Sequence, residues 1–254
     1  MSSKIGSVSN KGLSYSWFPA MHTRVDILLY GKPEEDLQNI VAVISDTLTE
    51  LEMTANFFDP SSELAKLNNI AHLKPTIVSP ELFRMISLCR IFHEKTEGCF
   101  DITVQSNPYN SETFQSLILD ETNSTIYFSK QGVRLDLSGF LKGYALDKIK
   151  EILQNHSIDN ALVNIGNSSV LALGNHPKGE GWKVSVPATG KEYLLKNECL
   201  TNSGNDTPDR IHIIDPRTGK YVEGQRTVSI ITESGAEGEA FATMFFIKNQ
   251  LLIH

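Results

Sequence analysis

The sequence predicts an α+β fold, with mixed β-sheets and helices packed on them. Three stretches carry that expectation. Val25, Ile27 and Leu29 recur every second residue, as on the buried face of a strand. Leu37, Ile40, Val41, Ile44, Leu48 and Leu51 recur at helical spacing and form one apolar stripe. The third stretch changes period: Val133, Leu135 and Leu137 alternate, Ser138-Gly139 breaks the alternation, and Tyr144, Ala145, Ile149, Ile152 and Leu153 follow helical spacing.

Taken in order, residues 1–12 hold Lys4 and Lys11 but no apolar run. They are expected to be a flexible N-terminus ahead of a single domain over 13–254. A first strand is expected over 22–30. A helix over 34–51 is opened by Pro33 and by Glu34, Glu35 and Asp36, which suit the positive end of its dipole. Asp59-Pro60-Ser61-Ser62-Glu63 is a turn leading into a short helix that ends at Asn68. Ser79 and Pro80 read as N-cap and first position of the next helix, which buries Leu82, Met85, Ile86, Cys89 and Phe92 and stops at Gly98. Asp101 is expected to accept backbone N–H bonds in the turn that follows. Beyond the strand, turn and helix of 133–153, a buried strand over 161–165 closes on Gly166. Further strands are expected over 170–173, 182–186 and 210–214. Asp215-Pro216-Arg217-Thr218-Gly219 is a hairpin turn: Asp bonds its own backbone, Pro presets φ and Gly accepts positive φ. Residues 239–247 form a last helix.

Composition narrows the function classes. A chain of 254 residues, 40% apolar and 21% charged, has ample material for a core. A net charge of -7 with no basic run argues against nucleic-acid binding. No stretch approaches the roughly 20 apolar residues of a membrane helix. Cys89, Cys99 and Cys199 are odd in number and lack metal-site spacing, which suits a reducing compartment. With no signal peptide visible, the chain as it stands reads as cytoplasmic.

Several residues suggest chemistry. The glycines of the strand-to-helix turn, Gly139 and Gly143, leave backbone groups where a phosphate or metal could meet them. Glu239 and Thr243 lie four apart in the last helix, so both side chains share one face. A carboxylate and a hydroxyl so placed suit a hard cation such as Mg2+. The alternative for Glu239 is a partner for the helix dipole. His212 is a general-base candidate, since histidine is the side chain whose ordinary pKa lies near neutrality, the alternative being a strand histidine bonded within a sheet. Lys142 offers charge beside a phosphate, or is simply a surface lysine at a helix start.

The stretch Leu135-Asp136-Leu137-Ser138-Gly139-Phe140-Leu141-Lys142-Gly143-Tyr144-Ala145-Leu146-Asp147 resembles the signature of the ApbE family, the FAD:protein FMN transferases. Further segments resemble that family in the same order: 62–68, 98–103, 160–166, 212–219 and 239–243. The resemblance runs from about residue 52 to 247. It implies two lobes with a flavin cleft between them, FAD as substrate, Mg2+, and an acceptor flavoprotein subunit whose Thr or Ser receives FMN while AMP leaves. It implies metal ligands at Glu239, Thr243 and the Leu141 carbonyl, and His212 as the base. It also implies flavin contacts at Phe58, Gly139, Lys142, Gly143, Asn164, Gly166, Ser203 and Gly204. Segment 62–68 would then flank the flavin, though a capped helix over a loop explains it equally.

The chain departs from the family pattern in four places. Glu239 stands where Asp is usual, moving the carboxylate out by about 1.5 Å. Asn167-Ser168 stands in place of Gly-Asp, Ile102 replaces a proline, and the loop after Thr103 is short. Many family members are exported lipoproteins, whereas this sequence shows neither leader nor lipid-anchoring Cys. The enzymatic alternative is an FAD pyrophosphatase, in which water replaces the acceptor hydroxyl, while Glu239, Asn167-Ser168 and the short loop leave open a flavin-binding paralogue without catalysis.

Overall fold

The computed structural model describes residues 5–10, 12–186, 189–205 and 212–248. The early elements are β1 (Gly6–Asn10), β2 (Leu13–Ala20), β3 (Thr23–Tyr30), α1 (Glu34–Ala55), α2 (Glu63–Ile70), β4 (Thr76–Ile77) and α3 (Pro80–Lys95). The middle holds β5 (Leu117–Asp120), β6 (Thr125–Phe128), α4 (Leu141–Asn155), β7 (Asn160–Ile165), β8 (Ser169–Leu173), β9 (Trp182–Val186) and β10 (Lys191–Leu195). The last are β11 (Glu198–Asn205), β12 (Ile214–Asp215), β13 (Lys220–Tyr221), β14 (Arg226–Thr232) and α5 (Gly235–Lys248). The chain divides into two compact units, the first made of Met1–Glu50, Lys142–Ser203 and Ser229–Glu239, the second of Leu51–Leu141, Gly204–Val228 and Ala240–His254.

The first unit is built on a seven-stranded sheet of order β1-β2-β3-β7-β8-β11-β14. Pairing is antiparallel from β1 through β11. Strand alternation puts Val25, Ile27 and Leu29 of β3 and Ala161, Val163 and Ile165 of β7 on one fully buried face. Part of the opposite face is covered by the β9–β10 hairpin. There Val170, Ala172, Trp182, Val186, Leu195 and Leu200 form one apolar cluster, and the Trp182 indole donates to the Leu173 carbonyl at 2.7 Å. Burying each large side chain of that cluster contributes about 1.5–3 kcal/mol.

The second unit holds α2, α3 and the small sheet β4-β6-β5. Ser62 caps α2 by accepting from the Ala65 N–H, and Ser79 caps α3 by accepting from the Leu82 N–H. Both Glu63 carboxylate oxygens accept from Ser79, at 2.6 Å each, tying the two helix starts together. Asp101 accepts from the Thr103 N–H and hydroxyl at 2.6 Å, closing the turn expected of it.

The structure differs from the sequence reading at several elements. Residues 6–10, placed in a flexible N-terminus, form β1, because the Gly12 turn (φ +82°) folds them back onto β2. Strand β2 goes unread in the sequence because its inward positions are Ser14, Ser16, Phe18 and Ala20, so burial does not follow polarity. Residues 133–137 are extended but join no sheet. Side chains act as the missing partner: Asn68 donates to the Leu135 carbonyl at 2.9 Å and accepts the Leu135 N–H at 2.8 Å. Helix α5 starts at Gly235, four residues before the sequence suggests, since Gly235 and Gly238 disguise its first turn. Of the strand expected over 210–214, residues 210 and 211 lie outside the described residues, and β12 begins at Ile214.

Candidate functional site

The first unit brings the starts of α4 and α5 into direct contact. A Cβ on Gly143 would sit 2.2 Å from the Gly235 carbonyl oxygen and 2.5 Å from the Glu239 Cγ. Only a glycine lets the helices approach this closely. One turn along α4, on the same face, Asp147 caps α5. Its carboxylate accepts from the Gly235 N–H at 2.7 Å, the Ala236 N–H at 3.0 Å and the Ser234 hydroxyl at 2.8 Å. Burial pushes the Asp147 carboxyl up, and those three donors oppose the shift. The sequence carries Asp147 at the end of the signature, and its spacing of four from Gly143 was the available sign that both face one neighbour.

This junction holds Glu239 inside the protein, at 5% exposure. Its carboxylate accepts from the Ser169 hydroxyl at 2.6 Å. The Ser169 and Ser168 hydroxyls are 3.3 Å apart, and the Lys142 ammonium donates to Ser168. Burial raises the Glu239 carboxyl, while the Lys142 charge and the Ser169 bond pull it back. The sequence marks Ser168 as the loss of an acidic residue. The structure makes Ser168 and Ser169 the link between a cation and an anion 97 positions apart in the chain (142 to 239).

The β7–β8 turn lies beside these serines. Gly166 (φ +62°) and Asn167 (φ +59°) both take the left-handed conformation. Asparagine tolerates that conformation well, so the missing second glycine costs the turn little. Asn164 closes it, donating to the Asn167 side chain at 2.9 Å and accepting its N–H at 3.0 Å. Ser203 is buried in β11 of the same unit.

In the second unit, Gly139 lies in the turn before α4 with nothing within 4 Å of a would-be Cβ. Leu141 is the first residue of α4, and its N–H donates to the Leu137 carbonyl at 2.9 Å. Thr243 is half-buried, one turn after Glu239 along α5. Phe58 is 72% exposed and stands edge-on to Phe57, with ring centres 5.2 Å apart. Gly204 lies inside β11, where a Cβ would meet the Arg226 carbonyl oxygen at 2.3 Å. His212 is exposed, just ahead of the β12–β13 hairpin. That hairpin is braced by Asp215, which accepts from the Arg217 side chain at 2.9 and 2.8 Å. From the short loop after Thr103, the Tyr109 hydroxyl lies 3.1 Å from the Pro216 carbonyl oxygen and 3.0 Å from Asp101. Tyr109 is a residue that sequence reasoning passed over. The shortened loop hid it.

The chain is similar to known proteins over nearly all its length. The ApbE family model matches residues 21–108 and 109–251. A protein of Chlamydia muridarum named FAD:protein FMN transferase is 30% identical over 232 residues, spanning 79% of this chain and 73% of the relative. The crystal structure of the ApbE protein of Thermotoga maritima superposes with a TM-score of 0.79 at 23% identity, covering 96% of this chain and 87% of that one. The flavin transferase ApbE of Vibrio cholerae gives a TM-score of 0.78 at 20% identity, covering 97% and 87%. At those identities the two structures establish the fold.

Proposed function

This chain belongs to the ApbE family, and on that premise we propose that it is a Mg2+-dependent FAD:protein FMN transferase. The observation that carries the reading is the match, over 79% of the chain, to a relative bearing that name. The first unit adds a buried carboxylate and an ammonium gathered where two helices start. The acceptor is a Thr or Ser of a flavoprotein subunit.

The donor types that Glu239, Thr243 and Leu141 carry are ones that suit a hard cation shared with a diphosphate. Glu239 and Thr243 offer a carboxylate and a hydroxyl on one helix face, and Leu141 offers a carbonyl with a second lone pair beyond its helical bond. No group of three or more His, Cys, Asp or Glu gathers among the described residues. Mg2+ is commonly held by one or two carboxylates, with water and phosphate oxygens completing its shell. Bound there, Mg2+ would neutralise charge on the diphosphate as the phosphorus–oxygen bond breaks.

The remaining roles fall to the chain's own groups. Lys142 supplies a positive charge to a phosphate oxygen. Gly139, with open space over its Cα, lets the ligand approach the backbone, and Phe58 offers an exposed ring for stacking. Asn164 and Gly166 shape the β7–β8 turn, while Gly143, Ser203 and Gly204 act through packing that holds neighbouring backbone in place. His212 takes the proton of the acceptor hydroxyl as its oxygen bonds to the FMN phosphorus and AMP departs.

The test combines protein, FAD, Mg2+ and an acceptor carrying Asp-Gly-x-Thr-Gly-Ala-Thr, read by mass spectrometry for attached FMN. Attachment is expected, and His212→Asn should cut it by about 10²–10⁴-fold while FAD affinity stays unchanged. FMN released without attachment would make the protein a pyrophosphatase. Bound FAD with neither product would make it a flavin-binding paralogue, the reading that Glu239's engagement with Ser169 favours.

A further inference from the structure

Lys142, Ser168, Ser169 and Glu239 form a row whose hydrogens run in one direction. An ammonium only donates, so Ser168 accepts from Lys142. A carboxylate only accepts, so Ser169 donates to Glu239 at 2.6 Å. The contact left over, 3.3 Å between the two hydroxyls, is completed by Ser168 donating to Ser169. Each bond polarises the next, and the row carries positive charge at one end and negative at the other. Glu239 is 5% exposed, so water screens little of this interaction.

We propose that Lys142 is a built-in counter-ion of Glu239, which keeps divalent cations off the carboxylate until an anionic diphosphate draws the ammonium away. The proposal rests on reading Glu239 as a metal ligand and says when that ligand becomes available. A divalent cation at Glu239 meets repulsion from Lys142 while the ammonium has no other anion. A diphosphate supplies one, through its phosphate oxygens. Metal and dinucleotide therefore promote each other's binding through the protein as well as through direct contact, and by linkage the promotion is reciprocal. Family members with Asp at both positions would place a second carboxylate where Ser168 stands. This chain has a single carboxylate in the row, and among the described residues the charge that balances it is Lys142.

The experiment measures Mn2+ binding, as a paramagnetic probe for the Mg2+ site, to FAD-free protein by calorimetry and electron paramagnetic resonance. Lys142→Met should bind Mn2+ about tenfold tighter than wild type in the absence of FAD. FAD should then improve Mn2+ affinity by a smaller factor in Lys142→Met than in wild type, and riboflavin, lacking the diphosphate, should improve it in neither. Lys142→Arg, which keeps the charge, should behave as wild type. Ser169→Ala, which removes one small hydroxyl, gives a second arm should Lys142→Met fold poorly: freeing a Glu239 oxygen should also tighten Mn2+. Unchanged or weaker Mn2+ binding in both Lys142→Met and Ser169→Ala, with wild type binding Mn2+ in the presence of FAD, would overturn the counter-ion while leaving the metal reading intact. Absence of Mn2+ binding from every protein even with FAD would overturn both.

Discussion

Asp215 shows what one carboxylate does near the exposed His212. Bidentate bonds from Arg217 hold its carboxyl below the usual aspartate range, outweighing the burial that would raise it. A depressed carboxylate adds stability that is complete above its unfolded value and is lost as pH falls through the lower folded one. Thermal midpoints measured from pH 7 to pH 3 should therefore fall less steeply on acidification for Asp215→Asn than for wild type. At pH 7 the variant should lose about 0.5–1 kcal/mol, the modest value expected of a pair open to solvent. Such local chemistry is legible in sequence, because Asp215 and Arg217 are two residues apart, like Asp101 and Thr103. The bond from Ser169 to Glu239 spans 70 residues, and no local pattern announces it. The substitutions at Glu239 and Ser168 thus read separately as two defects, although the fold joins them in one row.

Glycines decide matters at the scale of elements. The sequence offers Gly139 and Gly143 as equivalent backbone openings, but the structure separates them. Gly143→Ala should drive a methyl into the Gly235 carbonyl and part α4 from α5, lowering stability by about 1–3 kcal/mol or more. Gly139→Ala meets no atom within 4 Å, so its melting temperature should match wild type while FAD affinity falls if the backbone is approached there. Equal losses of stability in the two variants would refute this distinction. Asp147→Ala should weaken α5 alone, by about 1–2 kcal/mol, since it strips acceptors from the first turn. Helix α1 is readable because its stripe agrees with burial, and α3 because stripe and Ser79 cap both do. Strand β2 is not, because serines point inward. The extended 133–137 segment looks like a strand because burial alternates there, yet an asparagine side chain takes the place of a neighbouring strand.

For the whole molecule, the net charge of -7 sets an acidic protein against the anionic dinucleotide of the proposed reaction, so the proposed binding leans on local cations such as Lys142. FAD with Mg2+ should raise the melting temperature more than riboflavin does. A ligand at 100 times its dissociation constant adds about 2.7 kcal/mol by linkage. Equal shifts would mean that the diphosphate is not read. No helix among the described residues is long and apolar enough to cross a membrane. The hydrophobic periodicities made the α+β class legible, and the ordered motifs made the family so. Which stretches build each of the two units was visible only in the contacts, since three separate segments make up each of them. That interleaving has a practical consequence through the thiols. Cys199 lies in the first unit, Cys89 and Cys99 in the second, and all three are free and buried. Burial pushes the Cys199 thiol up to about 12 and the Cys89 thiol well above its ordinary value, so the closed protein should resist alkylation. Alkylation rates, resolved by peptide mapping, would then time the transient opening of each unit separately, with no label or engineered probe added.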